Sequence, residues 1–179
     1  MKSHTTDRLI LRPWTLDDVE FVFDMYSRWK VQRFIGFSPR VLACRAEAEE
    51  KILQWQSLRH EINGFWAITS KESGALLGTV FLKPIPFSFE NNASCSPDDT
   101  EIGWHLHPKA WGKGFASESA AALLQHAFGE GLERVVAVTY PENIASVGVC
   151  ERIGMRYEGL SSAYYNATVK LFTAMKPAL

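Results

Sequence analysis

The chain has 179 residues, 46 % of them hydrophobic, enough to bury one substantial core and too few for two, so a single domain over 1–179 is expected. Lysine and arginine total 19 against 20 acids, a formal net charge of -1, which excludes an overall field that would steer the chain onto nucleic acid or an anionic membrane. Any anion it holds must be met by a local arrangement.

The opening MKSHTTDRLILRPW carries only a short apolar run, so neither a signal peptide nor a membrane span is expected, and the location expected is cytoplasmic. Cys44, Cys95 and Cys150 are odd in number and lack CxxC spacing, which argues against a disulfide framework and a zinc site. His105 and His107 alternate along one stretch with no third ligand nearby, so no metal is expected.

In chain order, RLILRPW (8–14) alternates apolar and polar residues and reads as an opening strand. Thr15 then caps a helix with Asp17 and Asp18 in its first turn and Leu16, Val19, Phe23 and Tyr26 as its stripe. A second helix is expected over 45–60, on Ala48, Ile52, Trp55 and Leu58. FWAIT (65–69) and ALLGTVFLK (75–83), joined by KESG, read as an antiparallel hairpin. PIPFSFENNASCSPDD (84–99) has no periodicity and reads as a loop that either covers something or is disordered.

TEIGWHLH (100–107) alternates, with Ile102, Trp104 and Leu106 on one face and Glu101, His105 and His107 on the other. WGKGFASES (111–119) leads into a helix with Ala120, Leu123, Leu124, Ala127 and Phe128 as its stripe. RVVAVTY (134–140) reads as a strand buried on both faces, 143–152 as a helix ended by Gly154, and 155–159 and 164–174 as closing strands. The order implies a mixed sheet with helices on its faces.

A strand, a glycine-rich turn and a helix start together form an anion site. The first N–H groups of the helix lack intrahelical acceptors, and the helix dipole favours negative charge there. Gly112 and Gly114 let the backbone approach closely and Lys113 can add a point charge. The P-loop pattern is absent, and GxGxxG fails at Ser117. On these residues alone, a phosphate site and a tight turn beside a solvated lysine are both open.

WGKGFA (111–116) resembles the acetyl-CoA signature of the GNAT superfamily of N-acetyltransferases, Q/R-x-x-G-x-G/A, with Gly114 and Ala116 at its glycine and terminal positions and Trp111 replacing Gln or Arg. EIGWHLHPKAWGKGFASESA, NIASVGVCERIGM (143–155) and TDRLILRPWTLDDVEFVF are similar, in that order, to the RimJ/RimL-like branch. The resemblance implies a single α/β (α+β mixed) domain of the GNAT type. Its sheet should be mostly antiparallel, with about six to seven strands and about four helices. It should be splayed between the strands at 100–107 and 134–140.

The resemblance also implies a co-substrate, acetyl-CoA, and transfer of its acetyl group to a primary amine, a protein N-terminus or a small molecule. The backbone of Trp104, His105 and Leu106 would hold the pantetheine. Gly112, Lys113, Gly114, Phe115, Ala116 and Ser117 would wrap the pyrophosphate. Asn143 and, more weakly, Ser146 would reach the cofactor arm, although Asn143 equally suits a helix N-cap. Many relatives place a general-acid tyrosine where this chain has Cys150, which can also be read as a small buried apolar residue. Glu101 is the candidate base, with His105 second. Trp29, Phe34, Phe37 and the loop at 84–99 are candidates to line the acceptor pocket. A catalytically weak acyl-CoA-binding module is the alternative, another acyl-CoA is left open, and a homodimer is compatible with all of this.

Overall fold

A computed structural model describes residues 2–36, 38–58, 60–88 and 99–177. Alternation builds the first half of its sheet. In β2 (Leu9–Pro13), β3 (Gly64–Ser70), β4 (Leu76–Pro84) and β5 (Thr100–Leu106), Leu9, Leu11, Trp66, Ile68, Leu82 and Ile102 point to one face and are fully buried there. The opposite face takes Ala67, Phe65 and the helices α1 (Val19–Tyr26) and α3 (Arg45–Ser57). On the first face lie α4 (Phe115–Gly129) and α5 (Ile144–Arg152), with Ala120, Leu123 and Ala127 of α4 fully buried.

The strand order is β1-β2-β3-β4-β5-β6-β8-β7, with β1 (His4–Thr5), β6 (Arg134–Thr139), β7 (Arg156–Ser161) and β8 (Val169–Met175). All junctions are antiparallel except β5 to β6, which is parallel. The sheet is therefore mixed and mostly antiparallel, as the resemblance implies. Among the described residues it has eight strands rather than six to seven, the addition being the two-residue β1. Among the described residues there are five helices rather than four, the addition being the single turn α2 (Trp29–Gln32). Elements this short leave no periodicity to read.

Other differences have local causes. Asp18 accepts from the Thr15 N–H (3.0 Å) and twice from Arg12 (2.7 Å each), holding Leu16–Asp18 as a 3-10 turn before α1. That turn rotates Leu16 outward, 47 % exposed, and the inner face of α1 is Val22, Met25 and Tyr26. The second helix ends at Ser57, leaving Leu58 exposed. The last strand starts at Val169 rather than 164, because Tyr165 and Asn166 take left-handed φ of 60° and 54° and turn the chain. Residues 89–98 of the expected loop lie outside the described residues.

Among the described residues no helix is long and apolar enough to cross a membrane, and no group of His, Cys, Asp and Glu is placed to hold a metal ion.

Candidate active site

β5 is paired with β4 along its whole length, from Leu106 with Gly78 to Thr100 with Pro84. β5 and β6 pair only at Thr100 with Val135 and Glu101 with Val136, and then part. The splay lies where the family resemblance implies it. Its backbone polar groups have no strand partner there, and a cleft of ≈ 920 Å³ opens between Gly103–Leu106 and Ala137–Tyr140. Gly103 keeps this wall thin, because a Cβ there would collide with the ring of Phe81 on the neighbouring strand.

At one end of the cleft stands the N-terminus of α4. Gly112 and Gly114 hold left-handed φ of 72° and 79°, and Gly114 is the N-cap. The first helical bond runs from the Glu118 N–H to the Gly114 carbonyl (3.0 Å), so the N–H groups of Phe115, Ala116 and Ser117 have no acceptor within the helix. Arg152 of α5 donates to the Ser117 hydroxyl (3.0 Å) and lines the same mouth. Arg8 donates to the Lys113 carbonyl (3.1 Å) and pairs with Glu118 (2.6 Å), bracing the turn from behind. Free N–H groups, a helix dipole and a lining guanidinium fit a phosphate diester.

The other end is made of side chains. Lys83 and Glu101 face each other across the β4–β5 register, 3.3 Å apart. The Tyr165 hydroxyl donates to the Glu101 carboxylate and accepts from the Lys83 ammonium (2.6 Å). Burial raises the Glu101 carboxyl above its ordinary value, against the opposing pull of Lys83 and the Tyr165 hydrogen bond. A carboxylate so placed is a stronger base than one in water.

His105 lies four residues along the same face of β5, with Nδ1 2.9 Å from the Tyr26 hydroxyl. Burial, helped by Lys51 and Lys83, lowers its imidazole to about 3. The ring is neutral at physiological pH and is a much weaker base than Glu101. Burial keeps the Tyr26 hydroxyl protonated, so it donates to Nδ1 when the ring proton is on Nε2.

The cleft brings together most of the residues singled out from the sequence. Glu101, Trp104, His105, Leu106, Gly112, Gly114, Phe115, Ala116, Ser117, Asn143, Ser146, Cys150 and Phe34 all line it. Lys113 and Trp29 are not among its lining residues: Trp29 is 57 % exposed at the start of α2. Phe37 lies outside the described residues. Asn143 is the N-cap of α5, its Oδ1 accepting from the Ser146 N–H (3.3 Å). Cys150 is 1 % exposed, and burial pushes its thiol up to about 12, which makes it a poor proton donor.

Sequence reasoning missed Tyr26, Lys51, Lys83, Tyr165 and Arg152, all in the lining. The register between β4 and β5, with Lys83 one position inside the end of a strand and Glu101 one inside the start of the next, could have found Lys83. Tyr165 was hidden by reading the turn as strand.

Comparison with known proteins agrees with the geometry. Residues 8–156 match the family described as Acetyltransferase (GNAT) domain. The N-acetyltransferase p20 of Bacillus licheniformis, itself uncharacterized, is 30% identical over 172 residues, covering 96% of this chain and 92% of p20. A crystal structure of a GNAT-family acetyltransferase from Bacillus anthracis superposes with a TM-score of 0.76 at 25% identity, covering 98% of this chain and 99% of that one. RimL, a ribosomal L7/L12 alpha-N-protein acetyltransferase solved with coenzyme A, shares the fold (TM-score 0.77, 97% of this chain and 98% of RimL) at 19% identity. By its motifs, its splayed sheet and these relatives, the chain belongs to the GNAT acetyltransferase family.

Proposed function

We propose that the protein transfers an acetyl group from acetyl-CoA directly to a primary amine, both bound in one cleft, with Glu101 as the base. The observation that carries this reading is the splay of β5 from β6 beside the uncapped N–H groups of α4. It provides an anion cradle and a slot whose facing β5 and β6 edges are unpaired, and the Glu101 carboxylate lines the same cleft.

In this reading Phe115, Ala116 and Ser117 hold the pyrophosphate through their N–H groups, and Arg152 adds charge. The β5 backbone at Trp104 to Leu106 aligns the pantetheine arm. Acetyl-CoA supplies the acetyl thioester. The amine reaches Glu101 as an ammonium and gives up its proton to the carboxylate. The nitrogen then bonds to the acetyl carbon while the carbon–sulfur bond breaks, and the sulfur leaves as thiolate. A thiol of ordinary pKa near about 8.5 is a good leaving group without a strong acid, which fits a site whose Cys150 thiol has been pushed up to about 12. The bonded nitrogen gives up its second proton to solvent and the thiolate takes one up. Glu101 then releases its proton to solvent, so each ammonium that enters leaves as an amide with one free thiol and one net proton. Holding both reactants in one cleft supplies most of the rate, with effective molarities on the order of 10⁵ M or more against about 10²–10⁴ for proton transfer.

The test is calorimetric titration with acetyl-CoA, followed by an assay of free thiol release across an acceptor panel. Binding together with amine-dependent thiol release is expected. Binding with no release on any amine would leave an acyl-CoA-binding module, and the transfer reading would fail.

A further inference from the structure

The acceptor end of the cleft carries a charge that its own residues do not balance. Lys51 reaches from α3 over an aromatic wall, its ammonium 5.0 Å from the Tyr26 ring centroid and 5.5 Å from that of Trp55. Among the described residues no carboxylate pairs with it. Its charged neighbour is Arg40, also a cation, which is itself paired with Glu47 (2.8 Å). Lys83, the second ammonium of this end, is matched by Glu101 at 3.3 Å. Both lysines act on His105, so they share the electrostatic neighbourhood of one ring in the cleft wall. Among the described residues, the balance at this end is two ammonium groups, one carboxylate and a neutral imidazole before any acceptor arrives.

A primary amine enters as a cation. A simple amine or a polyamine would add to an excess of positive charge in a low-dielectric pocket, where like charges repel more strongly than in water. An acceptor carrying its own anion instead supplies the partner that Lys51 lacks, in a charge-assisted contact. Glu101 and His105 are four residues apart on one strand face, roughly 13 Å at about 3.3 Å per residue, so the carboxylate and the ring influenced by Lys51 lie at different points along one face of the cleft. The wall between them is aromatic: Trp55 stacks on Phe65 and Phe65 on Phe81, with centroids 5.3 and 4.7 Å apart.

Building on the N-acetyltransferase reading above, we infer that the acceptor is a small primary amine bearing a carboxylate or phosphate, seated with its nitrogen at Glu101 and its anion at Lys51. Lys51 is then the residue that determines specificity for the anion, with no part in proton transfer.

The experiment pairs anionic amines with their uncharged-tail counterparts in the thiol-release assay: phenylalanine with its methyl ester, phosphoethanolamine with ethanolamine, and spermidine as polycation. The anionic members are expected to have kcat/KM about tenfold or more above their counterparts, and the two pairs distinguish carboxylate from phosphate. Lys51→Met should bring the ratio to within about twofold by raising KM for the anionic amines, while Lys51→Arg retains the preference. Faster turnover of the ester, ethanolamine or spermidine, or an unchanged ratio in Lys51→Met, overturns the inference while leaving acetyl transfer standing. If no amine in the panel is acetylated, 3-phenylpropionate and inorganic phosphate are titrated into the protein saturated with CoA. Binding that Lys51→Met abolishes supports the anion site, and absence of binding overturns it. Absence of acetyl-CoA binding, by contrast, would sink the transferase reading itself. Methionine keeps the length and apolar stem of Lys51, and thermal unfolding of the variant confirms that the fold is retained.

Discussion

The two ends of the cleft are built by different means. At the end where we propose that the pyrophosphate binds, the groups on offer are main-chain N–H groups from one continuous stretch, Gly112–Ser117, shaped by two glycines and a helix start. At the other end, where we propose that the acceptor sits, the lining groups are side chains from α1, α3, β4, β5 and the turn before β8: Tyr26, Lys51, Lys83, Glu101 and His105, and Tyr165. A backbone site tolerates most side-chain changes and fails when the backbone cannot adopt its shape. A side-chain site tolerates backbone variation and fails when one group is replaced. Binding of acetyl-CoA and processing of the amine should therefore be separable by mutation.

The largest effect is expected at Glu101. Glu101→Gln keeps the shape but removes the base, so kcat/KM should fall by about 10²–10⁴-fold while acetyl-CoA affinity, set at the other end, is retained. The pH profile adds a second reading. Because burial raises the Glu101 carboxyl, the free enzyme loses the base form as pH falls through a value above the ordinary carboxylate range. The acid limb of kcat/KM against pH should lie there in the wild type and vanish in Glu101→Gln. An acid limb in the ordinary carboxylate range would place the essential base elsewhere.

Gly114→Val breaks the opposite end. At φ +79° a β-branched residue is strained by about 1–3 kcal/mol, although the Cβ itself has room, with only Arg8 Nη2 at 3.4 Å. The α4 mouth would then have to reorganise, weakening acetyl-CoA binding by roughly 10- to 100-fold by that strain. Glu101 is not touched, so the acid limb of kcat/KM should keep its position. Calorimetry and the pH profile measure the two halves of this outcome.

Tyr165→Phe has a smaller effect at the acceptor end. It removes the hydroxyl that donates to Glu101 and accepts from Lys83, which should lower kcat/KM by roughly 3- to 10-fold, in keeping with the typical net worth of a hydrogen bond, about 0.5–1.5 kcal/mol. The direction of the pH shift distinguishes positioning from general damage. The Tyr165 bond lowers the Glu101 pKa, so its loss should move the acid limb to higher pH. An unmoved limb would mean that Tyr165 does not act through Glu101.

The same contrast explains what the sequence disclosed. The phosphate end left a local trace, because a backbone cradle needs glycines where φ is positive and a helix immediately after. The two strands flanking the splay, Thr100–Leu106 and Arg134–Thr139, were legible from their apolar patterns, whereas the splay itself came from the family resemblance. The acceptor end left none. Lys51 looks like one more polar residue on a helix, Lys83 like a strand end, and Tyr165 like part of a strand until its left-handed φ of 60° breaks the run. Their common purpose exists only after β4 and β5 register and α3 packs over the sheet. Trp29 misled for the converse reason: an aromatic near an early helix suggests a pocket wall, but the one-turn α2 leaves it facing solvent.

The smallest effects sharpen the account of the phosphate end by asking whether any side chain matters there. Lys113 sits between the two glycines and draws the eye in the sequence, yet it is not among the residues that line the cleft, whereas Arg152 lines it and donates to Ser117. If N–H groups do the holding, Lys113→Ala should change acetyl-CoA affinity by less than about twofold at physiological salt, because an exposed charge is screened over a Debye length of about 8 Å. Arg152→Ala should cost more, about three- to tenfold, as a rim guanidinium close to an anion does. The two should also differ in salt dependence: raising ionic strength should erase the Lys113 difference first, while the Arg152 difference persists in part because a hydrogen bond holds its guanidinium in place. Were Lys113→Ala to cost as much as Arg152→Ala, the phosphate end would be held by side chains as well, and the division between the two ends of the cleft would no longer stand.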